Sequence, residues 1–289
     1  MQNSGVEFTL GYGDTSKGGF SYHVDANFSF LRSEVKDLGD RDFFAHGLTI
    51  RAMQPLRSKV GQPWYSYYVV KTDGIFQSQA EIDAYTHTDQ NGNITKIQPN
   101  AKPGDQKFVD LNGDGIINDN DREYMGSYTP KFTYGLNASF GYKNFDLNIA
   151  LQGVAGNKIF NGVKVMTYAA GQGWNMSADV LDSWGYNHNS DIPLISMSDT
   201  NGNYSTVSDF FLENGSYLRV KNITLGYTLP KSLFGNAPGA PNLRVYASGE
   251  NLLTFTKYSG MDPEVGNYGV DGGTYPVSRV VSFGLNLTF

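Results

Sequence analysis

The sequence predicts an all-β protein: a stretch of an antiparallel transmembrane β-barrel, about nine strands, carrying long extracellular loops. Three observations predict it. Apolar and polar residues alternate with period two over several long runs, which is the pattern of a strand with one apolar face. The connections between runs are short at one end and long and polar at the other, the layout of an outer-membrane barrel. The composition fits as well: of 289 residues, 34 are Gly, 19 Tyr and 18 Phe, while only 17 % are charged. Barrel strands alternate, so low mean hydropathy does not exclude them.

The elements follow in order. Residues 1–5 carry no basic run and no apolar run, so no signal peptide is predicted. Val6, Phe8, Leu10 and Tyr12 alternate with Glu7, Thr9 and Gly11. Tyr22, Val24, Ala26, Phe28 and Phe30 alternate with polar residues in the same way. Residues 43–53 and 64–71 show weaker alternation and are read as two more strands. The clearest run places Phe132, Tyr134, Leu136, Ala138, Phe140 and Tyr142 on one face. Its other face holds Thr133, Gly135, Asn137, Ser139 and Gly141. Lys143 and Asn144 then form a two-residue hairpin turn, which should pair Tyr142 with Phe145. Phe145, Leu147, Ile149 and Leu151 continue the apolar face. Residues 217–229 and 243–253 are further strands. Val281, Phe283, Leu285 and Leu287 lead to Phe289, an aromatic end resembling the signal read by barrel-assembly machinery. A short helix is expected near residues 177–184, capped by Ser177.

Short or moderate connections at residues 14–19, 55–63, 143–144 and 230–242 fall on one side. The long ones, 72–130, 153–216 and 254–276, fall on the other. With the hairpin turn in the periplasm, every long loop is extracellular and the last strand ends in the periplasm. An odd number of strands leaves both end strands parallel, so they cannot close on each other by antiparallel pairing. Open edges in lipid are not viable. The strands are therefore expected to complete a larger barrel with others. A smaller closed porin would need undetected strands within the long loops.

Several function classes are excluded. There is no Cys, hence no disulfide framework, no Cys-ligated zinc and no thiol nucleophile. A net charge of −6 without a Lys/Arg run argues against nucleic-acid binding. His23, His46, His87 and His188 lack metal-ligand spacing, and no catalytic constellation stands out, so no enzyme is expected. The sharpest local motif lies within residues 105–126. Asp110, Asn112 and Asp114 supply side-chain oxygens at positions 1, 3 and 5 of a calcium-type loop. Gly115 stands at position 6, Ile116 would donate its carbonyl, and Asn118 and Asp121 stand at positions 9 and 12. Asp121 replaces the usual Glu, which weakens bidentate ligation. The bland reading is an Asx-rich turn without metal. Tyr168, Trp174, Trp184, Tyr186, Tyr204, Tyr258, Tyr268 and Tyr275 lie in the long loops, where aromatic faces suit sugars or peptides. The alternative for each is packing within the loops.

Taken together, several stretches resemble one family. They are residues 107–115 (KFVDLNGDG), 130–135 (PKFTYG), 142–147 (YKNFDL), 214–222 (NGSYLRVKN), 242–246 (NLRVY), 251–254 (NLLT) and 260–264 (GMDPE), with Gln152, Gly153, Gly156 and Asn157 between. The whole of 1–289 resembles the C-terminal part of SusC/RagA-type TonB-dependent outer-membrane transporters. The resemblance implies a 22-stranded barrel whose plug domain and TonB box lie outside this sequence. It also implies a SusD-like surface lipoprotein as partner, the TonB complex as energy source, and oligosaccharides or peptides as cargo. The rival from another class is a self-contained extracellular β-protein, adhesin-like, binding glycans through calcium. It would cover the outward face of its strands with a second sheet.

Overall fold

A computed structural model describes residues 1–234 and 241–288. Seven strands form one continuous antiparallel sheet: β1 (Gln2–Thr15), β2 (Phe20–Glu34), β3 (Phe132–Tyr142), β4 (Phe145–Ala155), β5 (Tyr217–Thr228), β6 (Asn242–Thr256) and β7 (Val280–Thr288). Each pairs with its neighbours in sequence order. The hairpin register is the one the alternation requires, with Tyr142 opposite Phe145 and Leu136 opposite Leu151. Lys143 takes a left-handed backbone, as the first position of a tight two-residue hairpin demands.

The count of about nine wall strands is corrected to seven. Residues 43–53 and 64–71 do not join the wall. They contribute only Phe43–His46 and Ser66–Val70, which lie in a separate four-stranded sheet with Leu56–Lys59 and Arg122–Ser127. Strands of this length cannot cross a bilayer, which takes about 9–11 residues. The connection at 55–63 therefore belongs to a long loop, not to the turn side. Losing two strands leaves the parity unchanged, so β1 and β7 remain parallel edges. Phe289 and residues 235–240 of the 230–242 turn lie outside the described residues.

The long loops are not open coil. Lys158–Asn161, Leu212–Asn214 and Val270–Asp271 form a small sheet that joins the second and third loops. One hydrophobic core unites all three loops. Met53, Leu56, Tyr67 and Val69 from the first pack with Phe160, Val165, Tyr204 and Phe211 from the second and Val270 from the third. These three loops make one crown on the wall. Their length is explained by that core, because a loop must carry enough apolar side chains to bury its own backbone. None of the loop strands joins the seven-stranded sheet, so a smaller closed barrel is not formed among the described residues. Near residue 177 the helix is a single 3-10 turn, Ala178–Asp182, capped by the Ser177 hydroxyl accepting the Asp179 N–H.

Candidate functional site

The wall has two chemically distinct faces, and the register fixes both. On one face the central rows run Leu10–Ala26–Leu136–Leu151–Val220–Leu253 and Val24–Ala138–Ile149–Ile223. Aromatic rows bound them. At the crown end stand Phe8, Phe28, Phe30, Phe132 and Tyr134, with the Phe30 and Phe132 rings 4.9 Å apart. At the turn end stand Phe20, Tyr142, Phe145 and Tyr227, with Phe145 and Tyr227 at 4.7 Å. From Phe20 to Phe30, at about 3.3 Å per residue and a strand tilt of ~40°, the band stands ~25 Å tall. That is the height of the lipid-facing band of an outer-membrane barrel. The face is also uncovered: Phe8 is 54 %, Leu225 51 % and Phe283 83 % exposed. A sandwich would bury this face under a second sheet. Among the described residues no sheet packs there, which matches the barrel expectation and not the sandwich one.

The opposite face is polar. One row reads Thr9–Asn27–Gly135–Gln152–Arg219–Thr254 and the next Asp25–Asn137–Ala150–Asn222–Glu250. Asp146 and Arg244 form a two-point ion pair across β5, passing over Gly226. A Cβ there would lie 2.4 Å from both partners, so only Gly permits the bridge. On the apolar face Gly153 does the same for Tyr134, whose ring lies on its Cα and whose hydroxyl donates to the Tyr217 carbonyl.

The calcium-type loop gathers its first three side chains. Asp110 Oδ1 accepts the N–H of Gly113 at 2.8 Å, and its Oδ2 accepts that of Gly115 at 2.8 Å. Asn112 Oδ1 accepts the Asp114 N–H at 3.0 Å, and Asp114 Oδ1 accepts the Ile116 N–H at 2.9 Å. The Asn112 amide donates to Asp114 at 2.8 Å, which holds that carboxyl below its usual range. Asp121 is buried and its carboxylate is taken up by backbone N–H groups from both ends of the loop. It accepts the N–H of Leu111 at 2.9 Å and of Asn118 at 2.7 Å, closing a capping box around Asp119–Asp121. The Ile116 carbonyl accepts the Asn118 side-chain amide at 3.3 Å. The loop is thus closed by side-chain-to-backbone bonds. Among the described residues no three His, Cys, Asp or Glu side chains are grouped to hold a metal. The donor set fits a cation in part, because an oxygen that accepts one N–H retains a second lone pair.

The loop aromatics divide. Tyr168, Tyr204 and Tyr258 are buried in or beside the crown core. Trp184 donates from Nε1 to Gln77 and stacks edge-on with His188 at 4.3 Å. Trp174, Tyr186 and Tyr275 are exposed. Tyr268 stacks flat on Tyr65 at 3.6 Å, joining the third loop to the first. The four histidines lie apart: His23 is beside Asp25 at 3.0 Å, His46 on Ser58, His87 against Gly115 and His188 on Trp184. Burial pushes His46 down, and pushes Asp105, Asp199 and Asp209 of the crown up. Burial opposes the charge of Glu213 too, but bonds from Lys164 at 2.8 Å, the Ser259 N–H and Asn161 together hold its pKa down.

Sequence reasoning missed the centre where wall and crown meet. Arg219, 2 % exposed in its side chain, ion-pairs with Asp262 and Glu264 of the third loop, each at 2.5 Å. The available signal was a lone Arg on a polar strand face, together with an Asp-Pro-Glu in a loop that has few cations.

No family model matches the chain. It is similar over its whole length to TonB-dependent receptor P3 of Formosa agariphila, at 32 % identity. TonB-dependent receptor P26 of the same organism is 30 % identical and TonB-dependent receptor SusC of Bacteroides thetaiotaomicron 27 %, again over the whole chain. The chain spans 29 %, 29 % and 26 % of those relatives, under a third of their length. A solved structure of the RagAB peptide transporter superposes on 99 % of this chain and 29 % of its own, with TM-score 0.75 and 26 % identity. The same importer in its open-open state gives a TM-score of 0.74.

Proposed function

The chain is homologous along its whole length to TonB-dependent receptors of the SusC/RagA type, and from that premise we propose that it forms a stretch of wall and extracellular crown of an outer-membrane nutrient importer. The observation that carries this reading is the uncovered apolar band, ~25 Å tall and edged by aromatics at both ends. Lipid contacts that face and the polar face lines the lumen. The short turns lie in the periplasm and the crown outside the cell. β1 and β7 end in unpaired edges, so further strands close the barrel. The role is transport rather than catalysis, with oligosaccharides or peptides as cargo. A SusD-like lipoprotein covers the crown, and the TonB complex supplies energy through a plug. The resemblance and the names of the relatives support these assignments.

The chain alone in detergent should aggregate or stay unfolded, while the full-length receptor should give a heat-modifiable barrel. A monodisperse, cooperatively folding isolated chain would sink this reading. We also propose that the 110–121 loop takes calcium as a structural staple, with Asp110, Asn112, Asp114 and the Ile116 carbonyl as its core ligands. Asn118 and Asp121 would contribute through water or after turning. Calcium should raise the melting temperature of the purified receptor and give binding heat; absence of both would refute it.

A further inference from the structure

We infer that Arg219 is the positioning residue that folds the last long loop, residues 257–279, inward over the polar face of the wall. That this placement shapes the mouth through which cargo enters rests on the transport reading above. Arg219 lies on β5 in the polar row, opposite Gln152 on one side and Thr254 on the other. It is the largest fully buried side chain of the molecule's described part. Each of its three nitrogens has a partner: Nε donates to Thr254 Oγ1 at 3.0 Å, Nη2 to Asp262 and Nη1 to Glu264, with the Tyr217 ring 5.3 Å away. A buried guanidinium without such partners would be strongly unfavourable, so the carboxylates are bound to it. Both come from the loop, and they come to the polar side of the wall, which sets the direction in which the loop folds.

Asp262 carries the effect further. It also accepts the N–H of Glu264 at 2.9 Å and of Val277 at 3.1 Å, so one carboxylate ties both legs of the loop to one arginine. The far end is fastened separately. Tyr268 stacks on Tyr65, and the Tyr67 hydroxyl donates to the Gly269 carbonyl at 2.7 Å. That contact holds Tyr65 and Tyr268 with φ of 57° and 58°, a conformation bulky residues avoid. The flanks are fastened too: the Ser259 N–H donates to Glu213 at 2.8 Å, and Val270 pairs with Phe160 in the crown core. Releasing Arg219 therefore frees the stretch 260–266 between these anchors.

The test uses the full-length receptor in its own outer membrane. Proteinase K is applied to intact cells, and heat-modifiable mobility reports barrel assembly. Arg219→Gln should leave assembly intact and speed cleavage within 257–279 by tenfold or more. Arg219→Lys keeps a point charge but not the fork, and should fall between wild type and Arg219→Gln. The double variant Asp262→Asn, Glu264→Gln should match Arg219→Gln, and since both changes lie in the loop it carries the test if Arg219→Gln fails to assemble. Unchanged protection in the assembled barrel of the double variant would overturn the inference, as would Arg219→Lys behaving like Arg219→Gln. Protection is read whether or not the receptor imports anything. Failure of this test leaves the transport reading standing, whereas a wild-type receptor that imports neither oligosaccharides nor peptides counts against the transport reading alone.

Discussion

The wall and the crown are built from one chain by different physics. In the wall every strand pairs with its neighbour in sequence, backbone groups are satisfied along the ladder, and one apolar face has no protein partner. In the crown the strands are two to six residues long, and stability comes from a core drawn from three loops far apart in the chain. The wall needs a solvent of lipid on one side, while the crown makes its own interior. A substitution should therefore act differently in the two regions even where residue type and burial are alike.

The largest contrast should come from neighbouring positions of β3. Leu136→Arg places a charge in the middle of the apolar band and should cost about 2–4 kcal/mol, abolishing assembly. Asn137→Arg, one residue on and facing the polar side, should assemble normally. Heat-modifiable mobility of the two full-length variants checks this, and equal behaviour would break the two-face account. In the crown, Phe211→Ala empties a fully buried site and should cost ~3–5 kcal/mol locally. Its readout should be a protease-sensitive crown on an intact barrel. Loss of the barrel as well would show that the two regions are one cooperative unit.

The crown should also respond to pH. Asp105, Asp199 and Asp209 have pKa values raised by burial, so the folded crown holds their protons more tightly than the unfolded chain. Their contribution is fully present below the ordinary Asp value and is lost as pH rises through the raised values. Glu213 and Asp262 run the other way. Burial opposes their charge, but bonds from Lys164 and Ser259 in one case and from Glu264, Arg219 and Val277 in the other hold them down, so their contribution is lost only in stronger acid. Protease resistance of the crown should therefore rise as pH falls towards the ordinary Asp range and fall again in stronger acid. Asp199→Asn should flatten the rise. The smallest effect belongs to the hairpin: Lys143→Asn relieves a left-handed Lys and should stabilise the wall by under ~1 kcal/mol. Thermal unfolding of the full-length barrel would register it.

The same difference decided what the sequence could reveal. Period two made β3, the start of β4 and their turn legible to the residue, because each side chain there sees only one of two environments, although β4 runs on to Ala155, past the expected loop start at 153. The pattern breaks at β5 and β6, where a bulge places Lys221 between Val220 and Asn222 and shifts the phase, so Val220 and Ile223 share a face although their spacing is odd. Residues 43–53 and 64–71 looked like wall strands because their alternation is real, but it serves a small sheet in the crown. Their shortness was the missed clue. The crown core was not legible at all: Tyr67, Phe160, Phe211 and Val270 meet only after three loops fold together. Of the 110–121 loop, spacing located Asp110, Asn112 and Asp114 around one turn. It did not show Asp121 committed to the N–H groups of Leu111 and Asn118.

The central claim is that lipid covers one face of this sheet and water the other. The sequence contains no Cys, so single cysteines introduced along β3 and β7 can carry a spin label without background from this chain. In the full-length receptor in bilayers, labels at Leu136, Ala138, Phe283 and Leu285 should be relaxed by oxygen. Those at Asn137, Ser139 and Ser282 should be relaxed instead by a water-soluble nickel complex. Alternation with period two in that sense is the predicted result; uniform accessibility, or the opposite phase, would contradict the account.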